Sequence, residues 1–249
     1  TPMPSSATSA LSLNQSNCDV WAAFHPSYRF PGGGANGTVV PGGVGRWNSA
    51  TGLWSSWTRD NTPGLEGWDT DYRSILVDSQ NRVWAGSYTI HTILPGSFSL
   101  CFSCAPRWVR NQGHTDAVLS LYDGSNWQTA QNWQYEGYVS AIKEDPAGRI
   151  WAATTHEWIA DLASESNFII DQALSQPLTF NAVHVLNGST WQAIGRDQFP
   201  LVDDNISSIA FGPDGDVWFG TASHGIIHWD STANAATPTP TATATATAT

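Results

Sequence analysis

The phrase Asp19-Val20-Trp21-Ala22-Ala23 returns three times, as Arg82-Val83-Trp84-Ala85-Gly86, Arg149-Ile150-Trp151-Ala152-Ala153 and Asp216-Val217-Trp218-Phe219-Gly220. The four tryptophans stand 63, 67 and 67 residues apart. A fixed period of this length marks a repeat architecture, in which one supersecondary unit buries its apolar faces only against its neighbours. The 249 residues hold four such units, so the chain reads as one domain rather than two.

Each unit shows the same local grammar. An apolar-alternating run precedes the Trp phrase, as in Ser74-Ile75-Leu76-Val77 or Ile206-Ser207-Ser208-Ile209, and Gly, Asn, Asp or Pro separates the two. Period-2 alternation around such residues describes a β-hairpin. A third strand follows (Gly45-Arg46-Trp47, Leu119-Ser120-Leu121-Tyr122, Val183-His184-Val185-Leu186, Ile226-Ile227-His228-Trp229), and a fourth is opened by Trp54, Trp127 or Trp191. Asp123-Gly124 and Asn187-Gly188 supply the positive φ that tight turns require. The expected fold class is all-β: a β-propeller of four four-stranded blades of about 65 residues, because stacking sheets radially covers both faces of each.

The pattern of apolar strand, Asp/Gly turn, Val-Trp-x-Gly-Thr and a strand ending in Asp-Gly-x-x-Trp resembles the two-component-regulator propeller repeat, and is similar to the blades of streptogramin lyase. Ile206 to Trp229 carries the resemblance most fully, Val139 to Thr154 next, and the first copy least. The resemblance implies a propeller and leaves the function open, since one fold hosts many jobs. Two departures stand out: four units are present where this family usually implies more, and each unit is longer than its usual blade.

The extra length falls between the second and third strands, at residues 25–43, 88–116 and 156–182, with a short connection in the fourth unit. These insertions are expected to gather on one face as a cap, binding surface or assembly contact. Pro26, Pro31 and Gly32-Gly33-Gly34 make the first irregular, and 158–173 has room for a short helix. The domain reading is an N-terminal extension at 1–9, the propeller at 10–233 and a Thr/Pro/Ala-rich tail at 234–249. The polar start without Met reads as a processed product or an excised piece.

The fourth unit lacks a fourth strand with its opening Trp. Thr-Ala alternation from Thr241 to Thr249 composes either a glycosylated stalk or a strand that sets Thr241, Thr243, Thr245, Thr247 and Thr249 on one side. Docked beside Ile226, Ile227, His228 and Trp229, such a strand would complete its own blade or a neighbour's, and head-to-tail exchange would build a filament.

With 21 acids against 10 bases, the net charge of −11 argues against nucleic acid or an anionic membrane as partner. No apolar run has membrane-spanning length. Charged residues are only 12% of the chain, which fits an extracellular or cell-surface polypeptide. Cys101 and Cys104 read as a local disulfide, with unpaired thiols or a metal pair as the alternatives. Cys18 is left over, buried or in a turn.

Chemistry-bearing motifs are scarce. There is no nucleophile elbow, phosphate loop or zinc helix. His25, His91, His156 and His224 follow their repeat Trp by 4, 7, 5 and 6 residues, so they form a candidate ligand-binding ring, with plain surface turns as the alternative. Trp158 joins them as a sugar-stacking candidate, as do Trp68, Trp108, Trp133 and Tyr135. Most of the 14 tryptophans read as inter-blade packing. Glu157 stands beside His156, and Glu66, Asp69 and Asp71 offer oxygens suited to calcium or simply a solvated connection. Asn14, Asn36, Asn187 and Asn205 match the glycosylation acceptor triplet.

These readings predict a non-enzyme needing no metal or cofactor. The leading expectation is a structural, self-associating extracellular propeller whose partner is itself. The alternatives are a ligand-sensing or carbohydrate-binding ectodomain and, third, a metal-dependent lyase-like enzyme.

Overall fold

The protein is described from a computed structural model covering residues 7–29, 38–65, 71–92, 113–133, 136–155, 183–194, 205–213, 215–222 and 224–229. Within them all regular structure is β, apart from one 3-10 turn at Arg59–Asn61. The first unit comprises β1 (Ala7–Leu13), β2 (Val20–His25), a small hairpin of β3 (Ser27–Arg29) and β4 (Thr38–Val40), then β5 (Gly43–Asn48) and β6 (Leu53–Trp57). The second is β7 (Ser74–Val77), β8 (Val83–Thr92), β9 (Gly113–Tyr122) and β10 (Trp127–Trp133). The third is β11 (Tyr138–Glu144), β12 (Ile150–Thr155), β13 (Val183–Asn187) and β14 (Thr190–Ile194). The fourth is β15 (Ile206–Phe211), β16 (Val217–Thr221) and β17 (Ile226–Trp229).

Each unit is an antiparallel meander with the Trp phrase on its second strand, giving sheets 1 to 4 in chain order. The Asp-Gly and Asn-Gly turns form as predicted, with Gly124 at φ 101° and Gly188 at φ 64°, a region that a Cβ disfavours. Four four-stranded blades were expected; among the described residues the fourth sheet has three strands, with β17 at its edge. The first insertion contains the β3–β4 hairpin, which the Pro- and Gly-rich composition concealed. In the second insertion β8 runs on to Thr92 and β9 begins at Gly113, so the unit's central hairpin outlasts its outer strands. β1 also takes in Ala7 to Ser9, inside the stretch read as an extension.

Successive sheets pack face on face. Trp21, Ala23 and Val44 of sheet 1 meet Ile75, Val83 and Trp127 of sheet 2. Trp84, Leu119 and Trp133 of sheet 2 meet Val139, Ile142 and Ile150 of sheet 3. Trp151, Val183 and Val185 of sheet 3 meet Ile209, Phe219 and Ile227 of sheet 4. The tryptophans thus bridge sheets, as expected: Trp21 contacts Trp127 and Tyr122, Trp84 contacts Trp191, and Trp151 contacts Trp229 and Phe211. A four-bladed wheel would also pack sheet 4 against sheet 1. Among the described residues no hydrophobic cluster joins those two.

Polar rungs accompany the apolar ones. β1, β11 and β15 each carry a bulge, at Ser9, Ser140 and Ser207, where the pairing register skips one residue. A bulged residue is freed from the ladder and re-aims its side chain. Ser9 Oγ lies 2.5 Å from Tyr72 O, just before β7 of sheet 2, and Ser140 Oγ lies 2.5 Å from Ile206 O of sheet 4. Between sheets 2 and 3 the donor is Ser74, 2.8 Å from Val139 O.

Candidate functional site

The second strands end, and the first strands begin, at the end of the sheets from which the long insertions depart. His25 closes β2 there. Its Nδ1 lies 2.7 Å from Oδ1 of Asp71, a buried carboxylate just before β7. The other carboxylate oxygen accepts from Arg73 Nε at 3.2 Å and Nη2 at 3.0 Å. The Arg73 guanidinium sits 4.4 Å above the ring of Tyr138 on β11 and 5.8 Å from the ring of Tyr88 on β8. One polar and aromatic chain, His25–Asp71–Arg73–Tyr138, therefore crosses sheets 1, 2 and 3.

Two residues before Tyr138 stands Glu136, which is buried. Its Oε2 accepts from Thr154 Oγ1 at 3.1 Å and is hydrogen-bonded to His184 Nε2 on β13. The His184 ring stacks on Trp133, with centroids 4.3 Å apart and planes at 21°. A buried carboxylate needs such partners to offset its lost hydration. This group is sealed, so its part is to fix the backbone that presents Tyr138. His25 and Arg73 are the part that reaches solvent. A carboxylate on Nδ1 orients the imidazole and leaves Nε2 as its outward polar atom.

The sequence-predicted residues are divided by the fold. His25 and Asp71 come together; they were singled out separately, on different grounds. His91 lies near the end of β8, and His224 follows β16, where its N–H donates to Thr221 Oγ1 at 3.0 Å. Among the described residues no group of three or more His, Cys, Asp or Glu side chains is placed to hold a metal ion. Trp133, taken as a surface aromatic, is buried under His184. Asn14 is buried too, its Oδ1 accepting from Ser16 N and Oγ. Asn187 is exposed at the β13 turn, whereas Asn205 is half-buried. Cys18 is exposed in a turn, at φ 60°. Glu66, Trp68, Asp69, Trp108, Tyr135, His156, Glu157, Trp158, Asn36, Cys101, Cys104 and the threonines 241–249 lie outside the described residues.

Arg73, Tyr138, Glu136 and His184 escaped the sequence reading. A signal existed for His184, a histidine at a buried-strand position between Val183 and Val185. Nothing local marks Arg73 or Glu136.

A separate cleft of about 430 Å³ lies at the outer strands, walled by Trp57, Pro63, Asn126 and Trp127. Among the described residues the buried Trp127 indole N–H has no partner.

Residues 200–223 match the profile of the family described as Two component regulator propeller. No curated protein matches the chain. Among solved structures, a protein of unknown function from Dyadobacter fermentans is 18% identical at a TM-score of 0.46, over 90% of this chain and 66% of its own. A putative gluconolactonase is 13% identical at 0.43, over 88% and 56%. The extracellular domain of a putative hybrid two component system from B. thetaiotaomicron is 14% identical at 0.38, over 90% and 27%. The chain spans only part of each of these proteins. The profile match falls on β15 and β16, the unit that carried the resemblance most fully, so the similarity to a two component regulator propeller repeat rests on that segment.

Proposed function

We propose that the chain is a run of propeller blades from a non-catalytic, extracellular ectodomain that binds a polar, polyhydroxylated ligand at the His25–Tyr138 end. The observation that carries this reading is the chain His25–Asp71–Arg73–Tyr138, which aligns donors and an aromatic face across three sheets. Rings beside fixed donors and acceptors suit sugars, whose apolar faces stack while their hydroxyls bond in the sheet plane. The carboxylate is committed to His25 and Arg73, which favours holding a ligand over moving protons. No helix among the described residues is long and apolar enough to cross a membrane.

Calorimetric titration with a panel of neutral and acidic oligosaccharides tests this. Binding that is lost in Asp71→Ala and Tyr138→Ala, with thermal unfolding of both variants still cooperative, supports it. A panel without any binder, or a binder indifferent to both substitutions, sinks it.

A second reading is favoured by one observation: among the described residues β17 is an edge strand, where sheets 1 to 3 each continue into a fourth strand. In this reading the Thr-Ala ribbon adds beside Ile226–Trp229, in its own chain or a neighbour's, and links copies into filaments. Electron microscopy of the purified full chain tests it, because monodisperse particles at high concentration contradict filament growth.

A further inference from the structure

Among the described residues, sheets 1 and 4 expose the same positions that each interface between successive sheets buries. Trp21, Trp84 and Trp151 are 3%, 2% and 1% exposed because the next sheet covers each, whereas their counterpart Trp218 is 42% exposed. On the opposite faces, Ile75, Ile142 and Ile209 are 7%, 4% and 3% exposed under the preceding sheet, whereas their counterpart Leu11 is 65% exposed. Register fixes the equivalence: Leu11 pairs with Ala22, Ile75 with Ala85, Ile142 with Ala152 and Ile209 with Phe219, each the residue after the repeat Trp.

The polar rung is unfinished in the same way. Ser207 occupies the bulge position of Ser9 and Ser140, and bonds its own sheet at Gly220 O, 3.1 Å away, as they bond Ala23 O and Ala153 O. Ser9 and Ser140 also reach the next sheet, at Tyr72 O and Ile206 O. The residue matching Ile206 in sheet 1 is Thr8, just before the Ser9 bulge and exposed. Sheet 4 thus holds a donor, and sheet 1 an acceptor, of a rung that is closed elsewhere between neighbouring sheets.

We propose that the outer face of sheet 4 (Trp218, Ile226, His228) packs on the outer face of sheet 1 (Leu11, Leu13) of a second copy of this chain, with Ser207 Oγ donating to Thr8 O across the contact. The occupant is a second copy because the two faces are complementary halves of one interface type that the chain already builds three times. The contact is heterologous, face to tail, so it closes into a ring of copies or continues as a stack. It is distinct from ribbon exchange, which would use the edge of β17 and not its face.

The test is sedimentation velocity on the full chain across a concentration series, with Trp218→Lys, Leu11→Glu and the off-face control Leu53→Lys. Leu53 is also highly exposed but alternates to the other face of sheet 1. The wild type and the control are expected to associate. Each face variant is expected to weaken association at least about tenfold, roughly 1.4 kcal/mol, while keeping the wild-type circular dichroism spectrum and a cooperative melt. A mixture of Trp218→Lys with Leu11→Glu is expected to regain dimers, since the first retains an intact sheet 1 face and the second an intact sheet 4 face. A monomeric wild type overturns the proposal, as does association that survives both face substitutions, which would point to the edge instead. Failure of the mixture to recover also overturns it, because it denies the pairing of unlike faces.

Discussion

The indole N–H of Trp151 donates to Asp145 Oδ2 at 3.0 Å, and the same oxygen receives Arg149 Nε at 2.6 Å. Asp145 Oδ1 meanwhile accepts the backbone N–H groups of Ala147 and Arg149. Asp78, Arg82 and Trp84 repeat the arrangement in sheet 2, at 2.9 Å for the indole and 2.7 Å for the guanidinium. The turn carboxylate therefore locks the hairpin, the cation and the repeat tryptophan together. Sheets 1 and 4 solve the same problem differently. There the acid precedes the Trp by two residues and its side-chain partner comes from the third strand: Asp19 with Arg46, and Asp216 with His228, which stacks on Trp218.

Removing the acid tests the clamp. Asp145→Ala leaves the buried Trp151 N–H and two turn amides without their acceptor, and is expected to cost about 1–3 kcal/mol. Urea denaturation with an unchanged m-value checks it. Asp123→Ala, which removes an exposed turn carboxylate accepting from Ser125 and Asn126, should cost clearly less.

The clamp also sets an acid limit. Burial works to raise the pKa of Asp145, but hydrogen bonds from the Trp151 indole and from Arg149 outweigh it, and the carboxyl is held below its usual value. Asp19 is likewise lowered: burial opposes ionisation, while the Ser49 backbone N–H and Arg46 outweigh it. A group whose folded pKa is depressed contributes stability above its unfolded value, about 3.9, and loses it as pH falls through the folded value. Wild-type stability is expected to drop steeply below about pH 4, and Asp145→Asn to flatten that part of the curve. Equal slopes in the two proteins would count against the assignment.

Trp151 and Trp218 share a local sequence but not an environment. Trp151→Ala empties the interface of sheets 3 and 4 and is expected to cost about 3–5 kcal/mol. Trp218→Ala, on a half-open face of the monomer, should cost less than half as much at concentrations too low for association. Comparable losses for the two would contradict the burial difference.

Small residues facing one another across the first and second strands come as matched pairs. Ala10 faces Ala23 and Ala141 faces Ala153, whereas Ser74 faces Gly86 and Ser208 faces Gly220. A Cβ on Gly220 would lie 2.3 Å from Ser208 Oγ. Gly220→Ala is expected to cost about 1–3 kcal/mol by overpacking, and Ser208→Ala in the same chain to restore most of it. At Gly86 the added Cβ would also lie 2.7 Å from Val139 Cβ of sheet 3. Ser74→Ala should therefore rescue Gly86→Ala only partly. Melting temperatures of the four variants decide the point.

Sheet 4 can be asked to adopt the clamp of sheet 3. Gly212 holds the position of Asp145, and a Cβ there would lie 3.4 Å from Asp216 Cβ and 3.8 Å from Trp218 Nε1. Gly212→Asp alone sets two carboxylates side by side and is expected to destabilise. Combined with Asp216→Arg it recreates the Asp-x-x-x-Arg-x-Trp order, and a double-mutant cycle should show favourable coupling above about 0.5 kcal/mol.

The amino-acid order alone determined the unit, its strand succession and its Gly-bearing turns, because these follow from alternation over a few residues and from the backbone freedom of Gly124 and Gly188. It also marked the repeat tryptophans as bridges between sheets. Only the tertiary structure decided the rest. His25 meets Asp71 across 46 residues and Glu136 meets His184 across 48, contacts set by how one sheet is placed on the next and written in no local pattern. The β3–β4 hairpin was hidden because composition rich in Pro and Gly reads as irregular whether or not two short segments pair. Trp218 carries the same phrase as its three counterparts, yet it stays open, since burial belongs to the neighbour that covers a residue and not to the residue itself.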